Sequence, residues 1–353
     1  MRIHDINWRG FASDNYSGTH PEVLDALRDA NRGHQIAYGE DQYTEKLNDV
    51  IKEHFGRNAE AFPVFNGTGA NVLALTAVMP RWGAVICSSL AHIHTDEGGA
   101  PERVSGIKLF TVPHLNGKIT PELIDKEAFG WGDEHRAQPL VVSITQTTEL
   151  GTVYTPAEIK AIAEHVHSKG MLLHMDGARL WNAAAALKLP FHKFTTDVGV
   201  DILSLGGTKN GLLGAEAIIV LNPELDLGLK YLRKMNMQLS SKMRFISAQL
   251  IALFQDNLGI RSATHSNAMA ARLRKELEKQ SSGLNLPLEF SVPTEANAVF
   301  AVIPNDVADR IREQVRFYDW DRARGEVRWM CSFDTTEVDV RHFVQLIISE
   351  LNK

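Results

Sequence analysis

Residues 139–178 read PLVVSITQTTELGTVYTPAEIKAIAEHVHSKGMLLHMDGA, and this segment predicts the core of the fold. Its two ends, PLVVSITQ and MLLHMDGA, are short apolar runs typical of buried strands. Between them, Thr155 and Glu158 form a capping pattern and Gly170 closes the segment, so we predict a helix there. A strand, a helix and a strand at this spacing make a βαβ unit, which requires parallel strands. The sequence therefore predicts an α/β core.

The chain on both sides of this stretch extends the pattern. The strands that we predict for the same sheet are FPVF, GAVICSS, KLFTVP, DILSLGG and AEAIIVLN. Beyond about residue 245, the helix RLRKELEKQSSG, the strands AVFAVIP and EVRWMCSF, and a last helix capped by Thr336 and Asp339 predict a smaller α+β domain. We therefore divide the chain into an N-terminal segment with a large domain, residues 1–245, and a small domain, residues 246–353.

Composition bounds the function classes. The chain has 353 residues, which is longer than one compact core usually reaches. Its net charge of −6 argues against a nucleic acid or a membrane surface as the partner, since those partners require a basic face. We see neither a signal peptide nor an apolar run of membrane-spanning length. Cys87 and Cys331 allow one disulfide, but two reduced thiols are the commoner outcome, and we expect a cytoplasmic protein.

Four polar clusters follow predicted strands. They are NGTGAN after FPVF, AHIHTDEGG after VICSS, DGAR after LLHM and GGTKNG after DILSL. In a parallel sheet the ligand lies at the carboxyl ends of the strands. We therefore expect these four clusters to meet in one site.

Three of the clusters carry distinct chemistry. Gly67, Thr68 and Gly69 lead into a helix, whose free N–H groups suit a phosphate, although a tight turn explains them equally well in isolation. For Asp176 two interpretations are open. Either it forms a structural ion pair with Arg179, or it faces the cationic ring nitrogen of a ligand while Arg179 binds a substrate carboxylate.

The third cluster, GGTKNG, contains Lys209 among small residues. A buried lysine near other cations has a lowered pKa, which frees the amine to form a Schiff base. A phosphate site, a ring-nitrogen acid and a Schiff-base lysine are together the anchors that pyridoxal phosphate requires.

At this point the sequence resembles the low-specificity L-threonine aldolases, pyridoxal-phosphate enzymes of the aspartate-aminotransferase-like fold (fold type I). The segments that carry the resemblance are FASDNYSG, AYGEDQYT, FNGTGAN, AHIHTDEGGAPE, ITQTTELGTVY, HMDGARL, GGTKNG and RWMCSFDT, which span almost the whole chain. The resemblance implies a carbon–carbon lyase that cleaves L-threonine, L-allo-threonine or phenylserine-type β-hydroxy amino acids to glycine and an aldehyde. Other pyridoxal-phosphate reactions, β-elimination and transamination, are the alternatives on this scaffold.

The resemblance also implies roles in holding the cofactor. Lys209 would form the Schiff base, while Gly67, Thr68 and Gly69 would hold the phosphate. His92 would stack on the pyridine ring, and Asp176 would keep the ring nitrogen protonated.

For the substrate, the resemblance implies that Arg179, Arg328 and Ser13 bind the carboxylate. Tyr38, as a substrate contact, and Arg244, as a cofactor contact, lie in segments that approach the site in the family, partly from a neighbouring subunit. A homo-oligomer, a dimer or a tetramer with shared active sites, is therefore expected.

The chain departs from several relatives at one point. It has QTTELG where they have ENTHNG, which puts Glu149 in the place of a histidine near the substrate hydroxyl. The base that takes the hydroxyl proton is therefore either His92 or Glu149, and the unperturbed pKa of a histidine, about 6.5, favours His92.

Two other function classes are weaker. A metal-dependent hydrolase would use His92 and His94, which would face the same side of a strand, but it leaves NGTGAN and DGAR without a role, so we expect no metal. A non-catalytic binding protein would use the basic stretch LKYLRKMNMQLSSKMR, which we interpret instead as an amphipathic helix.

Overall fold

The structure is a computed structural model that describes residues 3–225 and 228–353. Its strands are β1 (Glu60–Val64), β2 (Gly83–Ser88), β3 (Lys108–Val112), β4 (Gln138–Thr145), β5 (Leu172–Gly177), β6 (Ile202–Leu205), β7 (Glu216–Val220), β8 (Glu289–Phe290), β9 (Ala298–Val302), β10 (Tyr318–Asp321) and β11 (Glu326–Met330). Its α-helices are α1 (Pro21–Ala30), α2 (Gln42–Phe55), α3 (Gly67–Ala77), α4 (His92–Thr95), α5 (Pro121–Ile124), α6 (Pro156–Ser168), α7 (Leu180–Leu187), α8 (Leu229–Met235), α9 (Arg244–Phe254), α10 (Leu258–Ser281), α11 (Asn305–Arg312) and α12 (Glu337–Leu351). Short 3₁₀ turns cover Asp14–Tyr16, Phe191–Phe194, Thr196–Val198, Thr208–Asn210, Gln255–Asn257 and Arg322–Arg324, and a π-helical turn covers Pro101–Ser105.

The large sheet has the strand order β1-β7-β6-β5-β4-β2-β3. Strands β3, β2, β4, β5 and β6 pair in parallel, whereas β7 is antiparallel to both of its neighbours. Every residue of β2 is buried, as expected for a strand whose two faces are both covered. The predicted α/β class with a mostly parallel sheet is confirmed.

The predicted βαβ unit is β4-α6-β5. Thr155 and Glu158 make a complete capping box at the start of α6, because each side chain accepts from the backbone N–H of the other residue. Strands β4 and β5 then pair in parallel, with Thr145 opposite Asp176. The local sequence signals therefore place Asp176 at the carboxyl edge of the sheet.

The second sheet is antiparallel, with the order β10-β11-β9-β8. Its apolar cluster draws on α10 from Met269 onward, on α11 and α12, and on Phe11 of the N-terminal segment. Helix α9 packs instead into the cluster beneath the large sheet, through Ile246 and Leu250. The division at residue 245 stays a prediction, and on this packing we propose a boundary inside α10.

The polar clusters meet as predicted. Strands β1, β2, β5 and β6 run in one direction, so the segments that follow them lie at one edge of the sheet. Strand β7 runs the opposite way, so its first residue, Glu216, lies at this edge too.

One local prediction is wrong, and so is a premise of the metal-hydrolase alternative. His92 and His94 lie on the short helix α4 and not on a strand, so residues two apart point to different sides. The basic stretch is not one helix, because α8 ends at Met235 and α9 begins at Arg244.

No helix in the described part of the chain combines the length and the apolar character needed to cross a membrane. Cys87 and Cys331 are both buried and unpaired, as expected.

Candidate active site

Two cavities adjoin at the carboxyl edge of the large sheet. The first, which we call the α3 cavity, has a volume of about 650 Å³ and includes the start of α3 and Asp176 in its wall. The second, the β11 cavity, has a volume of about 1010 Å³ and includes Arg328 of β11. His92 and Lys209 line both cavities, so the two spaces meet at these side chains.

The start of α3 is an anion site. Asn66 caps the helix, and its Oδ1 accepts from the N–H of Gly69 at 2.7 Å. The N–H groups of Gly67 and Thr68 donate to no acceptor in the described part of the chain and line the cavity. A Cβ on Gly67 would meet no atom within 4 Å, so space for a ligand lies beside it. Free amides at a positive helix end suit a phosphate.

Gly69, the third residue predicted to hold the phosphate, has another role. Its N–H is already used by Asn66, and a Cβ there would come within 2.5 Å of the Gln238 side chain. The glycine therefore permits close packing at this turn, whereas the free donors are those of Gly67 and Thr68.

Asp176 is the second-last residue of β5 and is only 4% exposed. Its Oδ1 accepts from the N–H of Ala178 at 2.9 Å, and its Oδ2 accepts from Nδ2 of Asn71 at 2.8 Å. It forms no ion pair with Arg179, so the structural pairing considered from the sequence is not made. A buried carboxylate in the wall of the α3 cavity is therefore available to a cation in that cavity.

Lys209 lies in the 3₁₀ turn after β6. Burial, followed by the positive charge of Arg179, lowers the pKa of its amine. Glu216 holds the turn, because its carboxylate accepts from the N–H groups of Gly207 at 2.7 Å and Thr208 at 3.4 Å. Burial raises the pKa of Glu216 to about 7. The lowered pKa of Lys209 is what a lysine requires to act as a nucleophile near neutral pH.

Arg179 is held by a residue that sequence reasoning missed. Its Nε and Nη2 donate to the two carboxylate oxygens of Asp14 at 2.8 and 3.0 Å. Burial by itself would raise the pKa of Asp14, but the charge of Arg179 lowers this pKa below its ordinary value. Arg179 therefore enters the β11 cavity as a fixed cation, with part of its donor set already used.

Arg328 is the less satisfied arginine. Its Nη2 donates to the carbonyl oxygen of Ala12 at 3.2 Å, while its buried Nε has no acceptor in the described part of the chain. Burial, with the nearby charge of Arg179, lowers the pKa of Arg328 to about 10. Ser13 lines the same cavity and caps the N-terminal 3₁₀ turn. A half-buried guanidinium with an unused donor favours an anionic ligand.

Glu149 and His92 lie side by side. Oε1 of Glu149 accepts from the backbone N–H of His92 at 2.9 Å and from Oγ1 of Thr145 at 2.7 Å. Burial raises the pKa of Glu149 to about 7. His92 shares its Nδ1 with Glu97 at 2.9 Å, and this hydrogen bond raises the pKa of His92. Both candidate bases therefore line the β11 cavity.

Tyr38 and Arg244 line neither cavity within one chain. Tyr38 is half exposed and bonds through its N–H to the carbonyl oxygen of Ser241. Arg244 donates from Nη1 to the carbonyl oxygen of Gly33 at 3.3 Å. Their assigned roles stay predictions that depend on a neighbouring subunit.

The sequence analysis gave Asn71, Glu97 and Glu216 no role in the cofactor site. Asn71 and Glu97 stand inside motifs that the sequence singles out, NGTGAN and HIHTDE, so their position was a usable signal. Glu216 opens an apolar strand and offered none. In the described ranges, no group of three or more histidine, cysteine, aspartate or glutamate side chains is arranged to hold a metal ion.

These residues fit one cofactor. The free amides of Gly67 and Thr68, the buried carboxylate of Asp176 and the amine of Lys209 line one cavity of about 650 Å³. They supply a phosphate site, an acid partner for a ring nitrogen and a Schiff-base amine, which are the anchors of pyridoxal phosphate. The fold and the site define a pyridoxal-phosphate enzyme of fold type I.

The chain is similar in sequence and in fold to known threonine aldolases. The model of the beta-eliminating lyase family matches residues 10–304. The chain is 44% identical to a low specificity L-threonine aldolase of Pseudomonas sp. (strain NCIMB 10558) over 94% of each chain. It is 43% identical to one from Pseudomonas aeruginosa, with 95% of this chain and 96% of that one covered. A threonine aldolase structure from Leishmania major superposes with a TM-score of 0.89 at 29% identity, covering 97% of this chain and 99% of that one.

The chain belongs to the low-specificity L-threonine aldolases, within the beta-eliminating lyase family. The resemblance drawn from the sequence motifs is confirmed, as are the fold and the dependence on pyridoxal phosphate.

Proposed function

We propose that this protein cleaves L-threonine and L-allo-threonine to glycine and acetaldehyde, and that it accepts bulkier phenylserine-type substrates. The observation that carries the proposal is the position of Lys209, a half-buried lysine whose amine has a lowered pKa, where the α3 and β11 cavities meet. The relatives named as L-threonine aldolases at 43% and 44% identity support the substrate class.

The residues of the α3 cavity would hold pyridoxal phosphate. Gly67 and Thr68 would bind the phosphate through their N–H groups, Asp176 would pair with the ring nitrogen, and Lys209 would hold the aldehyde carbon through a Schiff base. When bound, the cofactor supplies an electron sink for the electron pair of the broken Cα–Cβ bond. Asp176 serves that chemistry by keeping a positive charge on the ring favourable.

The β11 cavity would hold the amino acid. Arg328, whose Nε has no acceptor in the described ranges, would bind the substrate carboxylate, with Arg179 and Ser13 beside it. Because Asp14 fixes two nitrogens of Arg179, that arginine serves mainly as a rigid, charged wall. A fixed carboxylate sets which bond at Cα can break.

We assign the hydroxyl proton to Glu149, in preference to His92. Its pKa of about 7 suits a general base at neutral pH, and in the described ranges its Oε2 accepts no hydrogen bond. His92 has its Nδ1 engaged by Glu97, and this hydrogen bond favours the protonated ring, which has no free nitrogen to accept a proton. Glu149 would take the proton as the Cα–Cβ bond breaks, and glycine forms when Cα gains a proton.

The β11 cavity is much larger than threonine requires. At about 1010 Å³ it extends past Leu90, Leu150 and Trp320, which offer apolar contacts to an aromatic side chain. This space supports the bulkier substrates. β-Elimination and transamination are the competing reactions, and they release ammonia or a keto acid in place of an aldehyde and glycine.

We also propose that the protein is a cytoplasmic homo-oligomer, a dimer or a tetramer. Phe65 and Leu213 line the α3 cavity yet are 44% and 66% exposed, and Met237 is 82% exposed. A second copy over this rim would bury them and bring its own side chains to the cavity. The two unpaired cysteines suit a reducing compartment. Light scattering on the purified protein gives the copy number, and a monomer that retains full activity would contradict shared sites.

The decisive experiment uses the cofactor's colour. The purified protein should absorb in the visible with pyridoxal phosphate, and Lys209→Ala should lose that band while remaining folded. With threonine the holoenzyme should yield glycine and aldehyde in equal amounts. Ammonia and a keto acid in their place would assign it to β-elimination.

A further inference from the structure

Glu97 is a buried carboxylate to which the proposed reaction gives no part. It follows α4 and is 7% exposed. Its Oε1 accepts from Nδ1 of His92 at 2.9 Å and from Nδ2 of Asn71 at 2.8 Å. Glu97 therefore holds one nitrogen of the histidine that lies between the two cavities.

Asn71 carries this contact further. The same Nδ2 that donates to Glu97 also donates to Oδ2 of Asp176 at 2.8 Å. One amide group thus lies between two carboxylates and gives one N–H to each. The result is a continuous chain of hydrogen bonds from His92 through Glu97 and Asn71 to Asp176.

The arrangement is costly for stability alone. Oε2 of Glu97 and Oδ1 of Asn71 are buried and have no hydrogen-bond partner in the described ranges. Leaving a buried polar atom unpaired costs roughly 1–3 kcal/mol. A carboxylate retained only to pin α3 to the segment after α4 would be expected to have both oxygens bonded, so the arrangement points to a role at the site.

The charges around His92 determine which nitrogen of its ring carries a proton. Glu97 is bonded to its ring, and Asp176 adds a further negative charge, while Lys209 opposes them. Glu149 accepts its hydrogen bond from the backbone N–H of His92 and not from the ring. Since Nδ1 donates to a carboxylate, the ring keeps a proton there and presents Nε2 to its other side.

We propose that Glu97 is a positioning residue for the reaction: through Nδ1 it fixes the orientation and the charge of the His92 ring, and through Asn71 it joins that ring to Asp176. The proposal rests on the proposed function, since it concerns the residues that would hold pyridoxal phosphate. Although Glu97 lies in the wall of the α3 cavity, its bonded oxygen is taken by His92 and Asn71, and it acts through His92.

A double-mutant cycle on cofactor binding tests this dependence. The dissociation constant of pyridoxal phosphate is measured for wild type, Glu97→Gln, His92→Asn and the double variant. Loss of the charge-assisted hydrogen bond should weaken binding by about tenfold in the wild-type background. In the His92→Asn background the Glu97→Gln change should have a much smaller effect, because only the contact through Asn71 remains.

A second measurement needs no cofactor. In protein labelled with ¹³C at histidine Cε1, the His92 resonance is the one missing from His92→Asn, and its pH titration gives the pKa of the ring. We expect the pKa to fall by about one pH unit or more in Glu97→Gln. Glu102→Gln, which removes an exposed carboxylate from the same region, is the matched control and should leave the titration unchanged.

These experiments distinguish a failure of the Glu97 proposal from a failure of the proposed function. Equal weakening in both backgrounds, or an unchanged His92 titration, would overturn the positioning role and leave Glu97 a packing residue. If Glu97→Gln does not fold, Glu97→Asp replaces it in the cycle, since it retains the charge but draws it back from the ring. A wild-type protein that fails to bind pyridoxal phosphate would instead refute the proposed function.

Discussion

Replacing Glu149 with glutamine separates the two candidate bases. The amide retains an oxygen that can accept from Thr145 and from the His92 backbone N–H, so the local hydrogen bonds survive. What is lost is the ability to take a proton. General-base catalysis contributes about 10²–10⁴-fold, so kcat/KM for L-threonine should fall by that factor.

The pH dependence identifies the group. A base must be deprotonated to act, so with a pKa of about 7 for Glu149 the wild-type kcat/KM should rise with pH through about 7 and then level off. His92 also titrates above its ordinary 6.5, so the midpoint alone does not distinguish the two. The rising limb should disappear in Glu149→Gln and persist, at reduced rate, in His92→Asn.

Stability gives an independent check on the same pKa. Burial raises the pKa of Glu149 from 4.5 to about 7, so between these values the folded protein holds a proton that the unfolded chain has released. The free energy of unfolding therefore falls as the pH rises through this range. A difference of 2.5 pH units corresponds to about 3 kcal/mol. We measure the free energy of unfolding of the cofactor-free protein by urea titration. Between about pH 5 and about pH 8, its value for Glu149→Gln should increase relative to that of the wild type by up to this amount.

Glu164→Gln is the control, because it removes an exposed carboxylate on α6 and should alter neither the rate nor the pH profile. The assignment of Glu149 would be refuted by a Glu149→Gln enzyme that keeps its rate within a few-fold and retains the limb near pH 7. If the rise of kcat/KM near pH 7 is lost only in His92→Asn, then His92 and not Glu149 is the general base.

Three further predictions follow from the site and the fold. Asp176→Asn should still bind pyridoxal phosphate but lose about 10²–10³-fold in kcat, because the positive ring is no longer stabilised; an unchanged kcat would contradict its pairing with the ring. Arg328→Ala should raise KM by about 10- to 100-fold with a smaller change in kcat, measured against Arg328→Lys, and an unchanged KM would show that the carboxylate binds elsewhere. Thr155→Ala should lower the free energy of unfolding by about 1 kcal/mol in urea titrations, whereas Thr155→Ser should restore it; equal stability of both variants would mean that the α6 cap contributes nothing.

The sequence predicts what local signals determine. The capping box at Thr155, the apolar strands around it and the glycine turn before α3 each depend on neighbours within a few residues. From these signals follow the parallel sheet and the edge at which Asp176 and Lys209 meet. The family motifs added the roles of the residues, but not their contacts.

What the sequence left open depends on distant pairs. Asp14 meets Arg179 across 165 positions, and no local pattern announces which carboxylate an arginine will bind. The raised pKa of Glu149 comes from burial, which only the packed structure determines. The short segment HIHT fits a strand and a helical turn equally well, and only the structure places it on α4.

The order of the site along the chain has a consequence for synthesis. The side chains that line the α3 cavity lie between Asn15 and Glu216, whereas Arg328 lies on β11, and Phe11 packs into the small-domain cluster that α12 completes. A ribosome adding roughly 5–20 residues per second therefore supplies every group of the cofactor cavity several seconds before the second arginine of the substrate cavity. The residues that would bind the cofactor are therefore all synthesised before the second arginine that would bind the substrate, and the packing around Phe11 is completed only after α12 has been made.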